Sequence, residues 1–166
     1  MKQVYLDNAA TTQIRDEVVN EMTNVMKNNY GNASSLHSFG RSSKSIVEKY
    51  RKKIAGYLNA SASEIVFTSG GTEADNLILR SAVRDLGVTH IITSKIEHHA
   101  VLNTLEQLDK EYKMVVSYIA IEPNGTIDYL HLETLLKTES KTLVSLMHIN
   151  NEIGNVLDLK RVVALC

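Results

Sequence analysis

The sequence predicts an α/β protein built around a mostly parallel β-sheet that is flanked by helices. From residue 64 onward, short β-rich runs alternate with helical patterns, and runs such as LVSLM at 143–147 are almost continuously apolar. Parallel strands buried on both faces show this pattern, because neither side of the strand meets water. The predicted strands are 65–68, 89–93, 113–119 and 142–147, and the predicted helices between them cover about 73–84, 98–111 and 128–137.

Two amphipathic helices are predicted before residue 64. Apolar residues recur at helical spacing between Val18 and Met26, and again between Ile46 and Leu58. The lysine-rich face of the second helix is interpreted as an ordinary solvated surface. Another helix begins near Leu159, and the chain reaches Cys166 without a following strand. No linker divides the chain, so residues 1–166 are expected to form one incomplete domain of a longer protein.

Composition excludes several classes of partner. A formal net charge of -1 provides no general attraction to nucleic acid or to an anionic membrane. Cys166 is the single cysteine, which rules out an internal disulfide and favours a reducing compartment. Asp7 comes too early for the apolar core of a signal peptide. A cytoplasmic protein is therefore expected.

The stretch TSGGTEADN at 68–76 lies where a predicted strand gives way to a helix, and it allows two interpretations. Thr72 and Asp75 fit a capping box, in which side chains satisfy the exposed amides of the first helical turn. Alternatively, Gly70 and Gly71 allow a ligand to approach the backbone, and the helix N-terminus favours an anion such as a phosphate. These residues alone leave both interpretations open.

Two more polar loops follow predicted strands: SKIEHH at 94–99 and MHINNEIG at 147–154. Ligands of parallel sheets bind at the carboxyl ends of the strands, so these loops and the glycine-rich turn are expected to meet at one edge. His98 and His99 are adjacent on a predicted helix and point in different directions, so no metal site is predicted. The sequence predicts a site for a phosphate-bearing ligand at this edge.

Five ordered segments carry a resemblance to a known family. They are YLDNAATT at 5–12, GNASSLH at 31–37, FTSGGTE at 67–73, EH at 97–98 and HINNEIG at 148–154. Together they resemble the class V aminotransferases and, within them, the cysteine desulfurases of iron–sulfur cluster assembly. The similarity extends over essentially the whole chain. It implies an aspartate aminotransferase-like fold, with an N-terminal arm of about 1–15 followed by the first part of the large domain.

The resemblance also implies a cofactor, a reaction and partners. The cofactor is pyridoxal 5′-phosphate (PLP), which is used to convert L-cysteine to L-alanine while sulfur passes to an enzyme cysteine and then to an acceptor protein. The enzymes are usually homodimers. The resemblance assigns Gly71 and Thr72 to the cofactor phosphate, and His98 to catalysis and to stacking on the pyridine ring. It assigns Asn151 to a hydrogen bond near the phenolic oxygen of the ring or the substrate. Asn8, Ala9 and Thr11 are assigned to the substrate side.

In this family the Schiff-base lysine and the persulfide cysteine come later in the chain than residue 166. We therefore expect residues 1–166 by themselves to be inactive. Cys166 is interpreted as a small apolar core residue, and Lys95 is the lysine nearest the predicted site. Two alternatives remain open from the sequence: another class V enzyme, such as a selenocysteine lyase or an aminotransferase, and a non-catalytic fragment of the same fold.

Overall fold

The computed structural model of the chain describes residues 3–138 and 140–166. These residues form two compact units, Met1–Phe67 and Thr68–Cys166, which are described separately. None of the helices in the described ranges is both long enough and apolar enough to span a bilayer.

The first unit contains the two predicted N-terminal helices, α1 (Asp16–Asn28) and α2 (Ser38–Tyr57), and a single 3-10 turn at Ala62–Glu64. Gly40 in the first turn of α2 allows the preceding loop to pack tightly against the helix. A Cβ atom at this position would lie 2.3 Å from the carbonyl oxygen of Ser35. Glycine is therefore required here by close backbone approach.

The predicted strand at 65–68 is wrong, because these residues adopt no regular secondary structure. Val66 and Phe67 are 65% and 47% exposed, so the apolar run is not buried as the sequence suggested. A strand exists only through pairing, and none of the three strands in the described ranges pairs with this segment. The Ile65 carbonyl instead accepts a hydrogen bond from the Arg51 side chain.

The second unit contains a three-stranded parallel sheet with the order β2-β1-β3. Its strands are β1 (His90–Ser94), β2 (Val115–Ile119) and β3 (Thr142–Val144). β1 is central and every one of its residues is buried. The His90 imidazole joins all three strands, with Nε2 2.9 Å from Ser117 Oγ and Nδ1 3.1 Å from Thr142 Oγ1.

Helices cover both faces of this sheet, which confirms the predicted α/β class. On one face, Ile91 packs in a cluster with α3 (Gly71–Arg84) and α4 (His99–Tyr112). On the other, Ile92 packs in a second cluster with α5 (Tyr129–Leu136) and α6 (Leu159–Leu165). Successive strand residues point to opposite faces, so Ile91 belongs to the core on one side of the sheet and Ile92 to the core on the other. The leucines Leu79, Leu105, Leu108 and Leu132 of the helices are buried against them.

Cys166, which follows the last residue of α6, is exposed, so the prediction that it is a core residue is wrong.

β3 is shorter than the predicted strand 142–147. Ser145 still donates its backbone N–H to Ile92 O at 2.9 Å. Two residues later the Met147 N–H donates to the Glu97 carboxylate at 3.1 Å instead of to a strand. The chain then turns through a hairpin loop, closed by a bridge between Ile149 and Val156.

Candidate functional site

The N-terminus of α3 is open to a ligand at its two glycines. The helix begins at Gly71, and Gly70 precedes it as the N-cap residue without a side chain to cap the exposed amides. A Cβ atom placed on either glycine would meet nothing within 4 Å, so the space beside this backbone is free. The first amides of a helix have no partner within the helix and favour an anion. Gly71 and Thr72 therefore present donors suited to a phosphate.

The capping-box interpretation of Thr72 and Asp75 is wrong. A capping-box threonine must stand at the N-cap, whereas Thr72 is the second residue inside the helix. Glu73 closes the turn instead, because its Oε2 accepts from both the backbone N–H and the hydroxyl of Ser69, each at 2.6 Å. Both bonds lower the pKa of Glu73, and the bond from the Ser69 hydroxyl has the larger effect. The Glu73 carboxylate is thereby held at Ser69, two residues before the helix begins.

His98 is the N-cap residue of α4. Its Nδ1 accepts a hydrogen bond from the Ala100 N–H at 3.0 Å, so the ring has a defined orientation. With Nδ1 as the acceptor, a neutral imidazole carries its proton on Nε2. The ring is otherwise exposed. Capping the helix thus leaves the ring available to a ligand.

Thr72 and His98 line the same open depression, which has a volume of about 260 Å³. Asn76 and His99 also line it, and the Asn76 Nδ2 donates to the Thr72 carbonyl at 2.9 Å. The depression lies between the beginnings of α3 and α4, the two helices that cover one face of the sheet. The structure therefore brings together two of the predicted cofactor residues that are 26 positions apart in the sequence.

Asn151 lies in the hairpin loop after β3. It is exposed, and its Nδ2 donates to Glu152 Oε1 at 3.1 Å. The preceding residue, Asn150, is buried and holds the loop in shape. Its Oδ1 accepts from the backbone N–H groups of Glu152 and Ile153 at 2.9 and 3.1 Å. Strand β3 is adjacent and parallel to β1, so this loop and the His98 loop leave the sheet at the same edge.

Glu97 is a buried carboxylic acid between these two loops, with only 8% of its surface exposed. Its Oε1 accepts from Ser94 Oγ at 2.9 Å and from the Met147 N–H at 3.1 Å. Burial raises the pKa of Glu97, the two hydrogen bonds partly oppose this effect, and the nearby negative charge of Asp75 adds to it. Glu97 and Asn150 both stand in the motifs at 97–98 and 148–154, but no role was predicted for either, although each directly precedes a predicted site residue.

The raised pKa of Glu97 predicts a pH-dependent stability. The folded protein holds this proton more tightly than the unfolded chain, so the stabilisation is complete below the ordinary pKa of 4.5 and is lost as pH rises through the raised value. Glu97→Gln cannot titrate. Its melting temperature should therefore rise relative to that of the unaltered protein as pH increases from about 4 to about 8. Parallel melting curves across that range would contradict the prediction.

The predicted substrate-side residues lie in the first unit. Asn8 and Ala9 belong to a turn in which the Ala10 N–H donates to Asp7 O at 3.2 Å. Thr11 follows, with its hydroxyl hydrogen-bonded to the Tyr5 hydroxyl. All of these residues are exposed, and their assignment to the substrate side stays a prediction.

Lys95, the lysine nearest the site in sequence, lies in a different depression. Its Nζ is 5.8 Å from the centroid of the Tyr118 ring, and Leu102 and Glu106 line the same space. Lys95 is not among the residues that line the depression between Thr72 and His98.

Comparison with known proteins identifies the family. The family model for aminotransferase class-V matches residues 4–166. The chain belongs to the class V aminotransferase family. Among its relatives, a putative cysteine desulfurase IscS 1 from Bacillus subtilis is 41% identical over 165 residues, which cover 98% of this chain and 43% of that protein. A cysteine desulfurase IscS from Methanosarcina thermophila is 43% identical over 97% of this chain and 40% of its own length.

Solved structures agree with the sequence relatives. A NifS-like protein superposes with a TM-score of 0.91 at 36% identity, covering 99% of this chain and 45% of its own. The structure of SspA in complex with cysteine superposes with a TM-score of 0.85 at 29% identity, covering 95% of this chain and 45% of its own. The class V chain described here thus has the aspartate aminotransferase-like fold, and it spans less than half the length of these relatives.

Class V aminotransferases and cysteine desulfurases are PLP-dependent enzymes. The donor set at the start of α3 fits the phosphate of this cofactor, because open backbone amides and the Thr72 hydroxyl can all donate to a dianion. The imidazole in the same depression fits an aromatic ring, since its orientation is already set by its own helix cap. The residues present are therefore compatible with PLP.

Proposed function

We propose that the protein carrying this chain is a PLP-dependent cysteine desulfurase, which converts L-cysteine to L-alanine and transfers the sulfur to an enzyme cysteine. The observation that carries the proposal is the depression shared by Thr72 and His98 at the starts of two helices. Membership of the class V family and relatives named cysteine desulfurase supply its chemical class.

In this proposal Gly71 and Thr72 hold the cofactor phosphate. The amides of the first turn of α3 point out of the helix, and the helix dipole places partial positive charge there. The absence of a side chain at Gly71 leaves room for the phosphate to approach. The Glu73 carboxylate is bound to Ser69 and so does not compete for these amides.

His98 and Asn151 are proposed to orient the ring of the cofactor. The hydrogen bond from the Ala100 N–H to Nδ1 fixes the orientation of the His98 imidazole, so a flat aromatic face is offered to the cofactor ring. The Asn151 carboxamide is proposed to donate in the plane of the ring from the neighbouring loop. When bound, PLP supplies an electron sink for bonds to the amino-acid substrate.

The remaining assignments complete the proposal. Asn8, Ala9 and Thr11 are proposed to serve the substrate side. L-Cysteine is the substrate, an iron–sulfur assembly protein receives the sulfur, and the enzyme works as a cytoplasmic homodimer. Release of alanine from L-cysteine by the purified protein, together with a persulfide on the enzyme, would support the activity. Formation of a keto acid without sulfur transfer would contradict it.

The Thr72 hydroxyl provides the sharpest test of the phosphate site. A hydrogen bond to a charged group is worth about 1.5–3 kcal/mol, so Thr72→Ala should weaken PLP binding by about 10- to 150-fold. Fluorescence titration of the cofactor-free protein measures this change. Thr72→Ser keeps the hydroxyl and should bind nearly as well as the unaltered protein. Equal affinity in the alanine and serine variants would remove Thr72 from the phosphate site.

A further inference from the structure

The two loops that carry His98 and Asn151 are tied to each other by two buried side chains. Glu97 lies directly before His98, and Asn150 lies directly before Asn151. Each of these two residues reaches across to the backbone of the other loop. Both line a small cavity of about 40 Å³ between the loops, and both are nearly inaccessible to solvent.

The Glu97 carboxylate binds the loop after β3. Its Oε1 accepts the Met147 N–H at 3.1 Å, a contact between residues 50 positions apart. The same oxygen accepts the Ser94 hydroxyl at 2.9 Å, which anchors the carboxylate to the end of β1. A buried donor or acceptor that loses its partner is costly, so this arrangement strongly favours one separation of the two loops.

The Asn150 carboxamide makes the reverse connection. Its Nδ2 donates to the Ile96 carbonyl at 2.9 Å, across 54 positions of sequence. Its Oδ1 accepts from the amides of Glu152 and Ile153, so the same side chain shapes the hairpin loop that presents Asn151. One amide group thus connects the His98 loop to the backbone that directly follows Asn151.

We propose that Glu97 and Asn150 form a reciprocal clasp that sets the position of the His98 imidazole relative to the Asn151 carboxamide. Both are positioning residues, which act on the cofactor through the residue that follows each of them. The effect on PLP rests on the function proposed above, whereas the clasp itself is a property of the folded chain. Rigid support behind a site is what keeps its contacting groups in productive geometry.

The geometry separates shape from charge at Glu97. A single oxygen accepts both hydrogen bonds, and the carbonyl oxygen of a glutamine could accept the same two donors. Glu97→Gln should therefore preserve the clasp, while Glu97→Ala removes the Glu97 half of it and leaves the hydrogen bond from Asn150 to Ile96. Leu108→Ala is a matched control for lost stability, because Leu108 is fully buried in α4 and lies about 15 Å along the helix from His98.

Amide hydrogen exchange in the cofactor-free protein tests the clasp without PLP. In Glu97→Ala the amide of Met147 should exchange about tenfold faster or more, because it loses its acceptor. The amides of Glu152 and Ile153 should also exchange faster, because the loop loses one of its two side-chain connections to the His98 loop. Glu97→Gln should restore the slow exchange. Leu108→Ala should lower the melting temperature, while the ratio of the exchange rates of these loop amides to those of the sheet amides stays as in the unaltered protein. Unchanged exchange in Glu97→Ala, or equal acceleration in Glu97→Gln, would overturn the clasp.

PLP titration tests the positioning role in a double-mutant cycle. Glu97→Ala should weaken PLP binding about tenfold in the unaltered protein and change it little when His98 and Asn151 are already alanine. Equal losses of PLP affinity in both backgrounds, or none in either, would overturn the positioning role.

If Glu97→Ala does not fold, Asn150→Asp replaces it, since this variant keeps the acceptor for the hairpin amides and loses the donor to Ile96. PLP affinity in Asn150→Asp equal to that of the unaltered protein would likewise overturn positioning. An unaltered protein that does not bind PLP, with exchange changed as expected, would refute the proposed function and leave the clasp standing.

Discussion

Replacing His98 by alanine is expected to lower cysteine turnover by about 100-fold or more and to shift the absorption band of bound PLP. The imidazole lines the depression that contains Thr72, and its orientation is fixed by the Ala100 N–H. Removing the ring takes away both the aromatic face proposed to lie on the cofactor and the helix cap. Absorbance spectra and alanine release, measured on the same preparations, provide the two readouts.

His98→Asn separates the two roles of this residue. Asparagine is among the best N-cap residues, so the helix start should keep its stability while the aromatic ring is lost. We expect His98→Asn to melt near the temperature of the unaltered protein and to show the same loss of turnover as His98→Ala. His148→Ala, in the loop after β3, serves as the control for removing an exposed imidazole. Normal turnover in His98→Asn would reduce His98 to a helix cap.

Leu105→Ala is expected to cost about 2–5 kcal/mol of unfolding free energy, because removing a fully buried leucine leaves a cavity as well as lost apolar contact. Leu105 is 0% exposed and belongs to the cluster that joins α3 and α4 to the sheet. Denaturant unfolding of the second unit, followed through its helical signal, measures the change. Leu102→Ala on the same helix is only half-buried and should cost clearly less. Equal costs would mean that α4 does not pack as described.

The parts of the fold that could be predicted are those whose residues carry their own pattern. Helices α3 and α4 were predicted from periodic apolar residues, and β1 from a short apolar run, with boundaries within about two residues. The run at 65–68 shows the limit of this reasoning. Its composition is that of a buried strand, but composition cannot supply the neighbouring strand that pairing requires.

The sequence likewise indicated some of the contacts at the candidate site and not others. The motif at 68–76 correctly indicated a helix start, but the residue that closes the turn is Glu73, one position from the predicted Thr72. Glu97 and Asn150 were missed because charged and amide residues are usually exposed. Their burial depends on partners 50 and 54 positions away, and no local pattern encodes such distances.

The strand order has a consequence for synthesis on the ribosome. β1 is translated first, yet it lies in the centre of the sheet, and its second neighbour begins 52 residues later, with Thr142 opposite His90. At about 5–20 residues per second, roughly 3–10 s pass between the two. Throughout that interval β1, the most completely buried strand of the folded sheet, has at least one unpaired edge. Slowing translation of the codons for residues 95–141 should therefore change the yield of folded protein more than slowing translation of the codons for α1. The same holds for a ribosome-associated chaperone that binds the nascent chain during that interval.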